Sequence, residues 1–385
     1  MATTTQIRVS YVIDKLPRAG AQIHLAQLIA GLDRSCFSPN VYCLRRGGSV
    51  ADALREQGVE VDELGIESIY APKAWIALYR LAARLRRRRT QIVHTYLVSS
   101  NIFGSVAARL ARVPVKITSR RDTGFSRNWR LRLVEETLVN PFVSCVTAVS
   151  SAAAEAALSE RGLSADRLVT IPNGIDVRRW KPKGQLRDSA RARWGIGRDT
   201  PALGMIGSLS PVKGHRDLLR AFRSVLGEHA EARLFLVGDG VLREELERLA
   251  AELGITSRVV FTGVRSDIGP ILAMLDISVL SSLTEGLSNA ILESMAMARP
   301  VVATAVGGNL GVVEDGVTGL LVPPGDSEAL GHAVVRLLND PPLARSMGEA
   351  GRRRVEKHFG LDRMVAGYER LYRSLLEDRD LGRRG

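Results

Sequence analysis

The chain has 385 residues, too many for one comfortable core and suited to two domains. Its make-up is 45% hydrophobic and 25% charged, with a net charge of +13. No run approaches the roughly 20 apolar residues of a membrane span, and Cys36, Cys43 and Cys145 are odd in number and match no metal-ligand spacing. They point instead to reduced, buried thiols in a cytoplasmic protein. The charge is uneven, with 25 Lys and Arg against 15 Asp and Glu in residues 1–178 and 29 against 26 in the rest. Zinc-finger spacing and an RNA-recognition signature are missing and aromatics for base stacking are few, so no nucleic acid is expected; the expected anionic partner of the basic half is a membrane surface or a lipid phosphate.

After a short polar lead, residues 2–6, the chain enters the strand-like IRVSYVID, so no export signal is expected. LPRAGAQIHLAQLI follows, where Gly20 allows close approach of a phosphate to a helix start. Beyond NVYCL, the run from Lys73 to Arg89 reads as a helix. Arg80, Arg84, Arg87 and Arg88 share one face, and Trp75, Leu78, Tyr79, Ala82 and Leu85 the other. Such a helix suits a membrane surface on the cytoplasmic side or ordinary packing on a sheet. QIVHTY sets His94 at a strand end, and VKITSRRDTG sets Arg121 and Asp122 in the loop after the next strand. CVTAV and LVTIP complete six strands, and Pro172 to Pro201 reads as a hinge and linker.

The second half repeats the alternation with ALGMIGS, RLFLVG, RVVFTG, ISVLS, PVVAT and GLLVP, then turns wholly helical after Asp326. Alternating strands and helices signal parallel sheets covered on both faces, whose ligands lie at the carboxyl ends of the strands. The loop in GMIGSLSPVKGH offers Ser208, Lys213 and a helix start to a diphosphate. VGDG carries Gly238 and GVRSDI carries Gly263 and Val264 at two further strand ends. In EGLSNAILE, Gly286 permits close approach, Ser288 or Asn289 can cap the following helix, and Glu285 and Glu293 each offer a carboxylate that accepts two hydrogen bonds at once. That pairing suits sugar hydroxyls. No His/Cys cluster appears and the one DRD triplet, Asp378 to Asp380, lies near the tail. No metal site is expected; a helix dipole with Lys213 would neutralise a diphosphate instead.

EGLSNAILESMA, followed by RPVVATAVGGNLGVVEDGVTGLLVPPGD, resembles the nucleotide-sugar-binding half of the family 4 glycosyltransferases, retaining enzymes of the GT-B fold. The resemblance is strong over residues 203–326 and fair over 6–33 and 90–122. It implies an α/β protein with two doubly wound Rossmann-like domains facing across a cleft. These are an acceptor-binding domain over 1–175, a nucleotide-sugar-binding domain over 176–360, and a final helix, 361–385, crossing back to the first. It further implies that Glu293 holds the ribose, Glu285 the transferred hexose and Lys213 the diphosphate. Backbone near Gly263 and Val264 would hold the base, Gly238, Gly286, Leu287 and Ser288 would line the pocket, and Gly20 would approach the donor phosphate.

Three positions depart from the family pattern. Ser208 stands where an arginine is usual, Ala19-Gly20-Ala21-Gln22 replaces Gly-Gly-x-Glu, and Arg121 takes the place of a histidine. Arginine cannot shuttle protons. Arg121 would bind an acceptor phosphate or the leaving group, Asp122 would accept a proton or orient the acceptor, and His94 is the nearby histidine. The expected activity is retaining, metal-independent transfer of a hexosyl group from a nucleotide-diphosphate sugar, UDP favoured, with no further cofactor. The expected acceptor is a saccharide or lipid-linked saccharide in bacterial surface polysaccharide assembly. A GT-B epimerase or phosphorylase, or a non-catalytic nucleotide-sugar-binding subunit at the membrane, are the alternatives.

Overall fold

The computed structural model describes residues 6–124, 129–182 and 184–381, without the side chains of Asp380 and Leu381; lead residues 2–5 lie outside it. The chain divides into one unit of residues 1–174 with 361–385 and a second of residues 175–360.

The first unit holds seven parallel strands, β1 (Ile7–Ile13), β2 (Phe37–Cys43), β3 (Glu60–Glu63), β4 (Ile92–Tyr96), β5 (Val115–Arg120), β6 (Cys145–Ala148) and β7 (Leu168–Thr170). Their order is β3-β2-β1-β4-β5-β6-β7, so the winding reverses between β1 and β4. Strand β4 is buried along its whole length, as expected of a central strand covered on both faces. Sequence reading passes over β3: EVDE offers a single apolar residue, Val61, and the segment adds an edge to the sheet through pairing with β2. The terminal helix Leu361–Leu381 lays Met364, Val365, Tyr368, Leu371 and Tyr372 into the same core as Val9, Tyr11, Leu25 and Leu28. Each such large side chain contributes about 1.5–3 kcal/mol by leaving water.

The helix expected near residues 73–89 spans Pro72–Arg87, but its buried face is Ala74, Ala77, Leu78, Leu81, Ala82 and Leu85. Trp75 and Tyr79, expected on that face, lie outside. Arg84 and Arg88, expected on a free basic face, reach the acids of β3: Arg84 pairs with Asp62 at 3.5 Å and Arg88 with Glu60. Small alanines let the helix pack closely on the helix Val98–Leu110, in one cluster with Phe103, Ala107 and Ala108, and the bulky aromatics are turned away.

In the second unit six parallel strands, β8 (Ala202–Ile206), β9 (Arg233–Val237), β10 (Val259–Gly263), β11 (Ile277–Leu280), β12 (Val301–Thr304) and β13 (Gly319–Val322), run in the order β10-β9-β8-β11-β12-β13. The winding here reverses between β8 and β11. The segment expected as a linker is part of this unit. Ile175 bridges to Gly360, and the helix Gly184–Arg193 packs Ala190 into a cluster with Phe235 and Leu272. Its charge density hides the few apolar residues that dock it.

Candidate functional site

In an open parallel sheet the crevice at the carboxyl edge opens where the winding reverses. In the second unit that point lies between the loop after β8 and the loop after β11, and the two supply Lys213 and Glu285. The β8 loop ends in a 3-10 turn, Pro211–Lys213, and Gly214 in the left-handed region (φ 64°), which starts the helix His215–Glu228. A side chain at Gly214 would lie 2.0 Å from the Ser281 carbonyl oxygen, so only glycine lets the two loops touch. The contact is reinforced by Leu283 N–H donating to the Val212 carbonyl at 2.8 Å and Ser281 Oγ donating to the Lys213 carbonyl at 3.1 Å.

Across this seam Lys213 Nζ meets Glu285 Oε1 at 2.5 Å, and Ser282 Oγ donates to the same oxygen at 2.8 Å. Glu285 is buried, Lys213 half-buried. Behind Glu285 stands the Gly307–Gly308 turn after β12. Gly308 N–H donates to the Glu285 carbonyl at 3.1 Å, and a Cβ at Gly307 (φ 47°) would meet that carbonyl at 1.8 Å. The GG doublet in AVGGNL reads as a glycine turn from the sequence, but its contact with Glu285, like the parts played by Ser281, Ser282 and Gly214, does not.

A side chain at Gly238 (φ 144°), after β9, would meet the Gly207 carbonyl at 2.0 Å, and the Gly238 N–H donates to the Gly263 carbonyl at 3.0 Å. Val264 stands beside it, strongly exposed. Ser208 shares a 3.2 Å hydrogen bond with Ser210 and brings no charge. Gly286 and Leu287 lead into the helix Asn289–Ala296, whose N-cap position falls on Ser288. The expected side-chain cap by Ser288 is not formed, and Glu293 lies half-buried within the helix. The structure thus brings Lys213, Glu285, Gly286 and Ser208 to one edge, with Gly238 and Gly263 on the adjoining loops.

The first unit has its own reversal between β1 and β4. Gly20 opens the helix Gly20–Gly31 there, and Gln22, where the family pattern has an acid, is buried and donates to the Lys15 carbonyl at 3.2 Å. Leu97, directly after β4, is held at φ 72°, a strained conformation for leucine. Arg121 donates to Asn173 Oδ1 at 2.7 Å through Nη2 and lies 5.8 Å from the centre of the Tyr96 ring. Its Nη1 is buried without a partner. Burial lowers its pKa from the usual guanidinium value.

One expectation changes. His94 is not at a strand end but within β4, fully buried, with Nδ1 2.8 Å from the Tyr372 hydroxyl and Nε2 2.8 Å from Ser119 Oγ. Burial, then the nearby Arg121 charge, pushes its pKa down to about 3, so it is a neutral core residue and not a reacting group. Asp122 accepts the Gly124 N–H at 2.7 Å and shapes the loop. Its neighbour Arg120 turns inward to a buried cluster with Glu135 at 3.1 Å and Glu160 at 2.8 Å. In the Arg-Arg pair, one arginine is therefore structural and the other faces the loop side.

Two family models match the chain, Glycosyltransferase Family 4 over residues 18–179 and Glycosyl transferases group 1 over residues 200–340. The chain is 27% identical to the UDP-Gal:alpha-D-GlcNAc-diphosphoundecaprenol alpha-1,3-galactosyltransferase of Escherichia coli, over 96% of this chain and 98% of the relative. Over about half of each (50% and 51%), it is 37% identical to the GDP-mannose-dependent alpha-(1-6)-phosphatidylinositol monomannoside mannosyltransferase of Mycolicibacterium smegmatis. HepE of Anabaena, solved with UDP and glucose, superposes with a TM-score of 0.88 over 96% of this chain and 100% of that one, at 22% identity. The chain belongs to the family 4 glycosyltransferases, and its two parallel sheets are those of the GT-B fold. It is a glycosyltransferase, which sets aside the epimerase, phosphorylase and non-catalytic readings.

Proposed function

We propose that this enzyme moves a hexosyl group from a UDP-sugar to a hydroxyl of a lipid-linked saccharide, with retention at the anomeric carbon and without a metal ion, on the cytoplasmic side of a membrane. The observation that carries the reading is the Lys213–Glu285 pair at the β8–β11 reversal. An ammonium and a carboxylate standing together at this edge are the two groups a sugar diphosphate calls for, one for its phosphates and one for its hydroxyls. On binding, Lys213 turns to the diphosphate with the N-terminus of the His215–Glu228 helix, and Glu285 is released to accept hexose hydroxyls. Glu293 takes the ribose. Ser208 adds no positive charge, so Lys213 bears more of the leaving group's stabilisation than it would beside an arginine.

UDP is favoured because the Escherichia coli relative is named for UDP-Gal and HepE was solved with UDP. Both relatives carry alpha in their names, and common nucleotide hexoses hold the sugar in the α configuration, which agrees with retention. His94 is enclosed in the core, and the family resemblance implies that the donor's own phosphate oxygen accepts the acceptor proton. Arg121, with one guanidinium nitrogen unpaired, binds an acceptor phosphate.

The test is a transfer assay with UDP-glucose, UDP-galactose and GDP-mannose on undecaprenyl-diphosphate saccharides, with and without EDTA, reading the new linkage by NMR. An α-linked product from a UDP-sugar, unaffected by EDTA, is expected. A β-linked product or loss of activity with EDTA would overturn the reading.

A further inference from the structure

Residues 72–89 hold seven Lys and Arg and no acid. Within the helix Pro72–Arg87 these bases divide by environment. Arg84 pairs with Asp62 at 3.5 Å, Arg88 with Glu60, and Arg86 Nη2 donates to the Leu110 carbonyl. Lys73, Arg80 and Arg87 point to solvent, and among the described residues no carboxylate pairs with them.

The same solvent face carries the largest apolar side chains of the helix. Trp75 is 63% exposed, Ile76 56% and Tyr79 63%, and Tyr70, in the loop just before the helix, is 69% exposed. At about 100° per residue, positions 75, 79, 76, 87, 80 and 73 fall in that order around one arc of about 160°. Aromatics and isoleucine take one side of the arc and the bases the other. The opposite side is already filled by Ala74, Ala77, Leu78, Leu81, Ala82 and Leu85 against the unit's own core, so the exposed face is not a displaced core face.

Single exposed apolar residues are ordinary, but a tryptophan, a tyrosine and an isoleucine together on one helix face mark an interaction surface. Its chemistry is specific. Trp and Tyr favour the boundary between headgroups and acyl chains, while unpaired Lys and Arg beside them attract lipid phosphate and would repel a basic partner. No helix among the described residues is long and apolar enough to cross a membrane.

We infer that the solvent face of the helix Pro72–Arg87 seats the first unit on an anionic lipid bilayer, with Trp75, Ile76 and Tyr79 entering the headgroup layer and Lys73, Arg80 and Arg87 contacting lipid phosphates. The inference deepens the lipid-linked-acceptor reading and rests on it for its use, though not for the binding itself. Arg84 and Arg88 take no part, being held by β3.

Flotation of the full chain with vesicles of phosphatidylcholine, alone or mixed with phosphatidylglycerol, tests it. Binding is expected with the anionic vesicles and should weaken with added salt, since exposed charges are screened within about 10 Å at 0.1 M. The double variant Trp75→Ala/Tyr79→Ala should lose about tenfold or more of that binding, and Lys73→Gln/Arg80→Gln/Arg87→Gln should lose its salt-sensitive part. Arg84→Gln/Arg88→Gln should bind as wild type. Because Trp75 and Tyr79 lie outside the core, their variant should keep the wild-type melting temperature and transfer to a water-soluble acceptor analogue. Those controls separate this inference from the donor-site reading, which fails only if soluble transfer is absent in the wild type. Equal binding to neutral and anionic vesicles, undiminished binding by the Trp75/Tyr79 variant, or a lipid-independent dimer that this variant dissolves would each overturn it.

Discussion

Arg121 and His94 lie close enough to interact and have opposite roles. Both were candidates for chemistry in the sequence, His94 because histidine is the usual proton carrier and Arg121 because it stands where the family has one. His94 has two hydrogen-bond partners inside the core, whereas Arg121 has a buried nitrogen with none. An unpaired buried guanidinium nitrogen is costly, which favours an anion or a water there. Arg121→Ala should therefore lower kcat/KM for a phosphate-bearing acceptor by about tenfold to a hundredfold, the loss of one charged hydrogen bond, while UDP affinity stays near wild type. Steady-state kinetics with acceptors bearing and lacking the phosphate would check this; equal losses for both would remove the acceptor role.

The histidines also carry a pH signature. His94 is pushed down to about 3 and His215 to about 4, and His24 lies well below the ordinary value, in each case by burial first. In the unfolded chain all three titrate near about 6.5, so below that pH unfolding takes up protons that the native state excludes. Stability is then complete above about pH 6.5 and falls as pH drops toward about 4, by up to about 1.4 kcal/mol per pH unit for each histidine. Urea midpoints measured from neutral to mildly acid pH should decline steadily. A flat profile would contradict the neutral assignments.

Among the elements, the parallel strands were the most legible part of the chain. Runs such as RLFLVG and PVVAT show their type through β-branched and apolar density bounded by glycine or proline, and twelve of the thirteen strands were visible this way. β3 was not, since its acids are stabilised by Arg84 in the helix that follows and Arg88 just past that helix's end. The face of that helix was misread for a related reason. Hydrophobicity alone nominates Trp75 and Tyr79, but close packing on the helix Val98–Leu110 selected the alanines. Of the donor-edge residues, Lys213 and Glu285 were legible from their loops, and the glycine turn from its doublet, whereas the direct pairing of the two side chains and the turn's place behind Glu285 depend on a strand order that no local pattern reports.

That turn gives an element-scale prediction. A methyl group at Gly307 cannot fit 1.8 Å from the Glu285 carbonyl, and its φ of 47° disfavours any other residue. Gly307→Ala should displace the β11 loop and reduce turnover at least about tenfold. Gly311→Ala, in the short helix Asn309–Val312 with open space around it, should be near neutral in the same assay. If the two variants retain equal activity, the turn does not position Glu285.

At the scale of the whole molecule, charge and chemistry are divided along the chain. The excess positive charge lies in residues 1–178, which hold Arg121 and the exposed face of the helix Pro72–Arg87, while the donor loops belong to the nearly balanced remainder. This division is consistent with one unit attending to an anionic acceptor and its surface, and the other to the nucleotide. The terminal helix Leu361–Leu381 belongs to the first unit although it follows the second in sequence, with the Tyr372 hydroxyl 3.1 Å from that of Tyr11 and 2.8 Å from His94.

The central claim is that Lys213 serves the diphosphate of the donor and Glu285 its hexose, although the two side chains also pair with each other. Calorimetric titration of UDP into the wild type, Lys213→Gln and Glu285→Gln tests it most directly. Losing the ammonium should weaken UDP binding about tenfold to a hundredfold, as expected for one charge-assisted hydrogen bond of about 1.5–3 kcal/mol. Losing the carboxylate should leave UDP affinity unchanged or tighter, because Lys213 no longer has to leave a partner. A Glu285→Gln variant that loses UDP affinity as strongly as Lys213→Gln, or a pair of variants that both bind like wild type, would contradict the account.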